Sequence, residues 1–272
     1  IKNKMTELDG DVSYIGLPTS VIHSLNFDQE VSRSAIGQPI GSFYAYKEDG
    51  LFQSEAEIKS YTNNKGELLQ PNAKPGDIKF VDVNGDGVID GNDRDYIGNP
   101  LPDVTAGLTL GVNFHNFDLS LFFQGMFGND VYDLTRYVGD FYNQSQYNKN
   151  SRVVNAWTPT NTNTDIPRVT MDDPNNNIRP SSYYVQDASF VRLKNMKIGY
   201  SVPQSILSKI KFNSLYIYAQ ATNLFTITGY DGIDPEVGLQ SYSSDYRNLD
   251  MGVDRGIYPL SRTFTFGVNV SF

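Results

Sequence analysis

The feature that most constrains the fold is a pair of long segments in which apolar and polar residues alternate. From Val104 to Phe114 every second residue is apolar, and the residues between are small or polar. His115 and Asn116 then form a short turn, and Phe117 begins a second segment with the same period. A period of two is that of a β-strand whose two faces meet different surroundings. The sequence therefore predicts a long β-hairpin.

Three further strands are predicted downstream. The segment from Phe264 to Phe272 alternates in the same way, and the sequence stops there on an aromatic residue. The segments Phe190–Tyr200 and Leu215–Leu224 also indicate strands, and the first changes phase near Lys194 and Asn195, as at a β-bulge. The pattern does not define which way these two strands face. Strands of about ten residues are long enough to cross a bilayer at a tilt.

The connections between these strands alternate between short and long. Short connections lie at residues 115–116 and 201–214, and long ones at residues 128–189 and 225–262. This alternation is typical of outer-membrane barrels, which have short periplasmic turns and long external loops. The alternative is a soluble β-sandwich, although its strands usually have about five or six residues and very long loops are rare in it. Five strands cannot close a wide barrel, so most of the wall would lie elsewhere.

Composition agrees with an all-β chain and excludes several classes of function. Aromatic residues make up 13% of the sequence, with 18 Tyr and 16 Phe, which favours strands. The net charge of -9 argues against nucleic acid as a partner, and the absence of cysteine excludes disulfides and thiolate sites. No apolar run is long enough for a transmembrane helix. The sequence opens with Ile1 and Lys2 and has no leader, so we expect Ile1 to be an internal position of a longer chain.

One candidate metal site lies in the segment DVNGDGVIDGND, from Asp82 to Asp93. Its spacing matches a calcium loop, with Gly87 where such a loop turns sharply. Aspartate at the last ligand position, where an EF-hand has glutamate, argues against EF-hand pairing more than against metal binding. The alternative is a turn rich in Asp, Asn and Gly that holds no metal. The predicted calcium ligands are the side chains of Asp82, Asn84, Asp86, Asp90 and Asp93 and the carbonyl of Val88.

Nothing in the sequence predicts an enzyme. His23 and His115 are the only histidines, and His115 lies in the predicted turn. Asp172 and Asp173 form a carboxylate pair, but the Pro and Asn residues that follow favour a solvated loop. The aromatic residues of the long loop are candidates for stacking on sugars or on a partner protein, for a membrane-interface belt, or for packing within the loop. They are Tyr137, Phe141, Tyr142, Tyr147, Trp157, Tyr183 and Tyr184.

Several segments resemble the SusC/RagA family of TonB-dependent transporters. The resemblance covers most of the chain and is weakest between about Phe141 and Arg179. It is carried by GQPIGSFYAYKEDGLFQSEAEI (37–58), PGDIKFVDVNGDGVIDGNDRDYIGNPLP (75–102), FDLSLFFQGMFGNDVYD (117–133), ASFVRLKNMKIGYSVP (188–203) and NLFTITGYDGIDPEV (223–237).

The resemblance implies the C-terminal strands and long external loops of a transmembrane antiparallel barrel of about 22 strands. It further implies TonB-dependent import of glycans or peptides across the outer membrane. The implied partners are a SusD-like surface lipoprotein acting as a lid, and TonB, which would act through an N-terminal part absent from this sequence. We therefore expect residues 1–103 to form an external loop region containing the calcium loop at 82–93, and residues 104–272 to form the last five strands with their loops.

The alternative function is a secreted calcium-binding β-module that adheres to carbohydrate. A barrel needs the last strand to face lipid along its length, whereas a soluble module would cover that face. In the barrel interpretation, Phe272 resembles the C-terminal signal by which outer-membrane barrels are recognised for assembly. It would anchor the strand end at the periplasmic interface.

Overall fold

The computed structural model describes residues 3–16, 29–142, 148–238 and 249–272. Among these residues, no helix is long and apolar enough to cross a membrane. The strands are β1 (Tyr14–Gly16), β2 (Ser32–Ala35), β3 (Ser42–Tyr46), β4 (Glu48–Leu51), β5 (Ile78–Phe80), β6 (Arg94–Gly98), β7 (Val104–Phe114), β8 (Phe117–Phe127), β9 (Asp130–Asp133), β10 (Val185–Asp187), β11 (Phe190–Ser201), β12 (Ser214–Thr222), β13 (Thr226–Thr228), β14 (Val253–Asp254) and β15 (Thr263–Ser271). The helices are α1 (Glu55–Ser60), α2 (Thr135–Gly139) and α3 (Gln204–Ile210), with 3-10 turns at Gly91–Asp93, Ser151–Asn155 and Ser182–Tyr184.

The five long strands form one antiparallel sheet in the order β7, β8, β11, β12, β15. The predicted hairpin is confirmed, because β7 and β8 pair along their whole length, from Val104 opposite Phe127 to Phe114 opposite Phe117. His115 in the turn has a φ of 52°, a left-handed conformation that suits a tight reversal. The short strand β13 pairs with the start of β11. The path of described strands does not close, so β7 and β15 form its two edges.

The register shows that the two faces of the long sheet differ in chemistry. The bulge predicted near Lys194 is confirmed, since the pairing of β11 with β8 shifts between Leu193 and Asn195. Residues directly opposite each other share a face. One row across all five strands is entirely apolar and contains Leu110, Leu121, Met196, Ala221 and Phe264. The next row, on the other face, is small or polar and contains Gly111, Ser120, Lys197, Gln220 and Thr265.

The apolar face has no covering layer among the described residues. Leu108, Ile217 and Val268 expose 54%, 46% and 59% of their surface, on three different strands. At about 3.4 Å per residue and a tilt of about 45°, an eleven-residue strand rises roughly 24 Å, close to the apolar band of an outer-membrane barrel. The turn ends of the strands carry the aromatic residues Phe114 and Phe117, which suit a membrane interface.

Two tyrosines cover part of the polar face near its turn end. The rings of Tyr216 and Tyr218 stack with centroids 5.8 Å apart. A Cβ atom on Gly267 would lie 2.2 Å from the ring of Tyr218, and one on Gly199 would lie 2.0 Å from the hydroxyl of Tyr216. Glycine at both positions therefore lets the rings lie flat against the sheet.

The main hydrophobic core lies in the loop region and not in the long sheet. It joins residues that precede β7 with residues from both long loops, so these parts of the sequence pack as one body. The predicted division at residue 103 stays a prediction about sequence segments. The buried members of the core include Phe43, Ile78, Phe80, Tyr132, Leu134, Trp157, Tyr184, Leu249 and Val253.

Candidate functional site

The aromatic residues of the first long loop pack mainly into this core. Tyr137, Phe141, Trp157, Tyr183 and Tyr184 are all buried. The rings of Phe141, Tyr183 and Tyr184 contact one another, and the indole N–H of Trp157 donates to the side chain of Gln53 at 3.0 Å. Of the seven candidates, Tyr142 is partly exposed and Tyr147 lies outside the described residues. The packing interpretation is therefore the correct one for the five buried rings.

The acidic loop at residues 82–93 is closed by hydrogen bonds to its own backbone. The carboxylate of Asp82 accepts the N–H groups of Gly85 and Gly87, at 2.7 and 2.9 Å. Asp93 is fully buried and accepts the N–H groups of Val83 and Asp90, at 2.9 and 2.8 Å. The side chains of the remaining candidate ligands make similar local contacts. Asn84 accepts from the N–H of Asp86, Asp86 from that of Val88, and Asp90 from that of Asn92.

These contacts bear on whether the loop suits calcium. The oxygen donors are of the type that calcium prefers, and each ionised carboxylate keeps lone pairs beyond those used here. However, in the part of the chain that the structure describes, which contains the whole loop, no three or more acidic or histidine side chains are gathered as cation ligands. The side chains would have to turn from the amides towards a common centre. Calcium binding here stays a prediction.

The other polar candidates have structural roles. Asp173 is buried, where the sequence suggested a solvated loop, and its carboxylate accepts the N–H groups of Asn177 and Ile178. Asn177 in turn donates to the buried carboxylate of Asp77 at 2.9 Å. His115 lies in the β7–β8 turn, where its ring packs on Phe114. His23 lies outside the described residues.

A network of charged residues holds the second long loop against the polar face of the sheet. Arg192 is 2% exposed and shares a row of the polar face with Gln124 of β8. Its guanidinium donates to Asp234 at 2.5 Å and to Glu236 at 3.0 Å. Lys194 also donates to Glu236, at 2.7 Å. The segment from Asp234 to Glu236 therefore lies over the polar face, at the end of the sheet that carries the long loops.

The electrostatics of Asp234 reflect this network. Burial on its own would raise the pKa of Asp234, but the N–H groups of Glu236 and Leu260 and the guanidinium of Arg192 outweigh it, so the pKa is lowered. The carboxylate is therefore stabilised in its ionised form.

Beside this network, a cavity of about 520 Å³ opens between α2, the 3-10 turn at Ser151–Asn155 and the segment 231–233. We call it the mouth cavity. Its lining includes two arginines and three aspartates. Arg136 donates to Asp231 at 2.8 Å, and the hydroxyl of Thr135 donates to Asp133 at 2.5 Å. The charged residues of the lining are Asp133, Arg136, Arg152, Asp231 and Asp254.

Two of these aspartates are buried side by side. Asp133 and Asp254 are partners in the parallel pairing of β9 with β14. Burial raises the pKa of Asp133, and the charge of Asp254 adds to this, against the opposing effects of Thr135 and Arg136. The hydroxyl of Tyr230 donates to Asp254 at 2.6 Å. The two carboxylates are therefore satisfied by hydrogen bonds within the protein.

Sequence reasoning missed both the charged network and the mouth cavity. Arg192 lies on the polar face of β11. The bulge beside Lys194 shifts the alternation of apolar and polar residues, so the sequence alone does not show which face Arg192 occupies. The cavity is lined by four separate parts of the chain, namely residues 133–136, 150–152 and 231–233 together with Asp254, and no local pattern joins them. A positively charged residue in a strand of a membrane barrel was the one available signal.

Comparison with known proteins finds relatives that are named TonB-dependent receptors. It is 37% identical over its whole length to "TonB-dependent receptor P3" of Formosa agariphila and covers 26% of that protein. It is 34% identical to "TonB-dependent receptor P26" of the same organism, again with 26% of that protein covered. It is 27% identical to "TonB-dependent receptor SusC" of Bacteroides thetaiotaomicron over 99% of the chain, which is 23% of that protein. The chain thus spans about a quarter of the length of these relatives. No protein-family model matches the chain.

Solved structures agree on the fold. A structure of the RagAB peptide transporter superposes with a TM-score of 0.68 at 23% identity, covering 99% of this chain and 25% of that one. The RagAB peptide importer in its closed-closed state gives 0.67 at 24% identity, covering 99% of this chain and 26% of that one. The two-faced sheet is therefore a segment of the wall of a large transmembrane β-barrel, and the loop core lies beyond one rim of that wall.

Proposed function

Since the chain belongs to the SusC/RagA family of TonB-dependent receptors, we propose that it forms wall strands and part of the outer loops of a transporter that imports large nutrients across the outer membrane. The work of the whole protein is then transport and not catalysis. Its energy would come from the inner membrane through TonB, by way of a part of the protein outside this sequence.

The observation that carries this proposal is the two-faced sheet. The uncovered apolar face suits contact with lipid, and the polar face suits a water-filled interior. A soluble carbohydrate-binding module would leave a large apolar surface in water, which soluble proteins avoid. The outer membrane is accordingly the proposed location.

Substrate and partners belong to the same proposal. The substrate would be a glycan or a peptide, and a SusD-like lipoprotein would close over the outer loops. Support comes from the relatives, one of which is named SusC, and from the loop region, in which both long loops are held together by a buried core. The name of the RagAB structures refers to peptides, and this describes that protein.

Calcium at residues 82–93 is a separate proposal. Its support is the spacing of the oxygen ligands and the density of acidic residues in an exposed loop. Binding would replace some of the hydrogen bonds between carboxylates and amides, and it would stiffen a loop whose charges otherwise repel.

The proposed function is tested by deleting the gene for the full-length protein and measuring growth on a panel of glycans and peptides as sole nutrients. We expect growth to fail on one nutrient class and to return with the complete gene. Deleting TonB should cause the same loss. The proposal would be contradicted if the full-length protein fractionated away from the outer membrane, or if the deletion strain grew normally on every nutrient.

A further inference from the structure

A furrow runs along β12 on the apolar face of the long sheet. Its floor is formed by Ala219, which is half-buried, and Ala221, which is 8% exposed. Phe266, which lies beside Ala219 on β15, exposes 81% of its surface. Large side chains therefore stand on both sides of a floor made of methyl groups, and we call this feature the β12 furrow. Its walls are Phe264 and Phe266 of β15 and Met196 and Ile198 of β11.

The end of the β12 furrow nearest the short connections widens into a cavity of about 400 Å³. The lining comes mainly from the apolar rows that contain Ile198 and Ile217, so the cavity opens on the face that meets lipid. From Ile217 to Ala221 the furrow is four residues long, or roughly 14 Å at about 3.4 Å per residue. A narrow apolar channel of this length suits an unbranched hydrocarbon chain, which can bend to follow it.

The connection at this end of the furrow is positively charged. Residues 201–214, which join β11 to β12 and include α3, contain two lysines and no acidic residue, in a chain whose net charge is -9. Lys209 and Lys211 are both exposed, and neither forms an ion pair among the residues that the structure describes. The ring of Phe212, next to Lys211, packs on Phe272 at 5.2 Å. Both lysines therefore lie at the level of the interfacial aromatic residues, on the side of the short periplasmic turns.

A phospholipid carries both of the groups that this arrangement fits. Ile217 lies three residues from Ser214, where β12 begins, so the cavity starts roughly 10 Å from the connection that carries the lysines. In a phospholipid the glycerol group separates the phosphate from the acyl chains, so one molecule can reach both places. A water-soluble anion would meet the lysines but gain nothing from the furrow. The exposed ring of Phe266 would hold a flat protein surface away from the alanines, whereas a single chain fits beside it.

We propose that the β12 furrow binds one anionic phospholipid of the periplasmic leaflet. One acyl chain lies along Ala219 and Ala221, and the phosphate is held by Lys209 and Lys211. Burial of the chain supplies the apolar part of the affinity, and the two lysines select a lipid with a net negative charge. This inference rests on the apolar face being a membrane-spanning wall, and it is independent of which nutrient is carried.

The test uses the full-length receptor, purified and delipidated in mild detergent, and counts bound lipids by native mass spectrometry. Phosphatidylglycerol is the anionic probe, and phosphatidylethanolamine, which has no net charge, is the comparison. The double variant Lys209→Gln/Lys211→Gln removes the charges, and Ala219→Leu fills the furrow. We expect the double variant to bind phosphatidylglycerol about twentyfold more weakly, at about fivefold for each lysine near an anionic lipid, and to bind phosphatidylethanolamine as before. Ala219→Leu should weaken the binding of both lipids.

Two matched controls separate the site from general effects on the receptor. Lys59→Gln/Lys65→Gln removes two exposed lysines of the loop region, and Val112→Leu enlarges an exposed side chain on the apolar face of β7. Both should bind phosphatidylglycerol like the unmodified protein, and heat-modifiable migration shows that each variant has folded.

Three results would overturn the proposal. They are equal phosphatidylglycerol binding by the two double-lysine variants, equal affinity of the unmodified protein for the two lipids, and binding by Ala219→Leu as tight as that by Val112→Leu. The lysine variants alter only exposed positions, so they decide the question even if Ala219→Leu fails to fold. None of these results concerns the growth defect on deletion or the outer-membrane location, so the import proposal is tested separately.

Discussion

Arg192 on the polar face of β11 lies 2.5 Å from a carboxylate oxygen of Asp234, which is 42 positions further along the chain. Both side chains are largely buried, and the guanidinium also donates to Thr226 and Glu236. The pair therefore fixes where the second long loop lies against the polar face of the sheet, next to the segment 231–233 that lines one side of the mouth cavity.

The first prediction concerns this pair. Arg192→Met keeps an unbranched side chain but removes the guanidinium, so Asp234 is left buried without its cationic partner. Breaking such a pair costs about 3 to 5 kcal/mol. We expect faster hydrogen exchange in residues 230–237 of the full-length protein. Arg192→Lys should have a smaller effect, because lysine keeps the positive charge but lacks the planar guanidinium that donates to several acceptors at once. Arg33→Met, at an ion pair in the loop region, is the control and should not change that segment. Unchanged hydrogen exchange in Arg192→Met would contradict the conclusion that Arg192 holds the second long loop in place.

The second prediction concerns pH. Because the pKa of Asp234 is lowered in the folded protein, its contribution to stability is fully present above the ordinary Asp value of about 3.9 and is lost as the pH falls through the lowered value. Exchange in residues 230–237, corrected for intrinsic rates, should stay constant from neutral pH down to about 5 and should rise only below about 4. In Asp234→Asn, hydrogen exchange in residues 230–237 should be fast across this whole pH range. Faster exchange in these residues of the unmodified protein already near pH 6 would show that a group other than Asp234 controls the loop.

The strands were readable from the sequence because lipid and water impose opposite requirements on alternate residues. The β7–β8 hairpin was predicted with its observed ends, and so was the bulge beside Lys194. The facing of β11 and β12 was not readable, because the bulge changes the phase and β12 carries tyrosines on its polar face. Only the register with β8 and β15 settles it.

The loop region was far less predictable. Its core gathers residues such as Phe43, Tyr132 and Val253, whose spacing along the chain follows no period. The acidic loop is the opposite case, because there a clear sequence pattern did not determine the contacts. The spacing of its ligands matched a calcium site, yet the carboxylates of Asp82 and Asp93 bind backbone amides, and the same spacing serves both arrangements.

The third prediction tests calcium directly. Titration of the full-length protein with calcium alone should show binding that Asp82→Ala and Asp93→Ala abolish. Removal of calcium by a chelator should increase proteolysis near Gly85 and leave the barrel folded. Asp95→Ala, an exposed aspartate just outside the loop, is the matched control. Equal calcium binding by all variants, or none by the unmodified protein, would refute the site.

The fourth prediction concerns Phe272, which is exposed at the end of β15 and packs edge-on against Phe212 at 5.2 Å. If it is part of an assembly signal, deleting it from the full-length protein should lower the amount of heat-modifiable protein in the outer membrane. Phe272→Leu should lower it less. Tyr258→Ala, at an exposed loop aromatic, should leave assembly unchanged. Equal yields from all three would show that Phe272 only fills one more lipid-facing position.

The most direct test of the account is the facing of neighbouring residues within one strand. The sequence contains no cysteine, so single cysteines can carry spin labels once any cysteine elsewhere in the full-length protein is removed. Val268 lies on the apolar face of β15 and Asn269 on the polar face. Labels at Val268→Cys and Asn269→Cys, in the receptor reconstituted in bilayers, are compared for relaxation by oxygen, which concentrates in lipid, and by a water-soluble nickel complex. The account predicts strong relaxation by oxygen at position 268 and weak relaxation at 269. Equal oxygen relaxation at the two positions, or dominant relaxation by nickel at 268, would contradict a membrane-spanning wall.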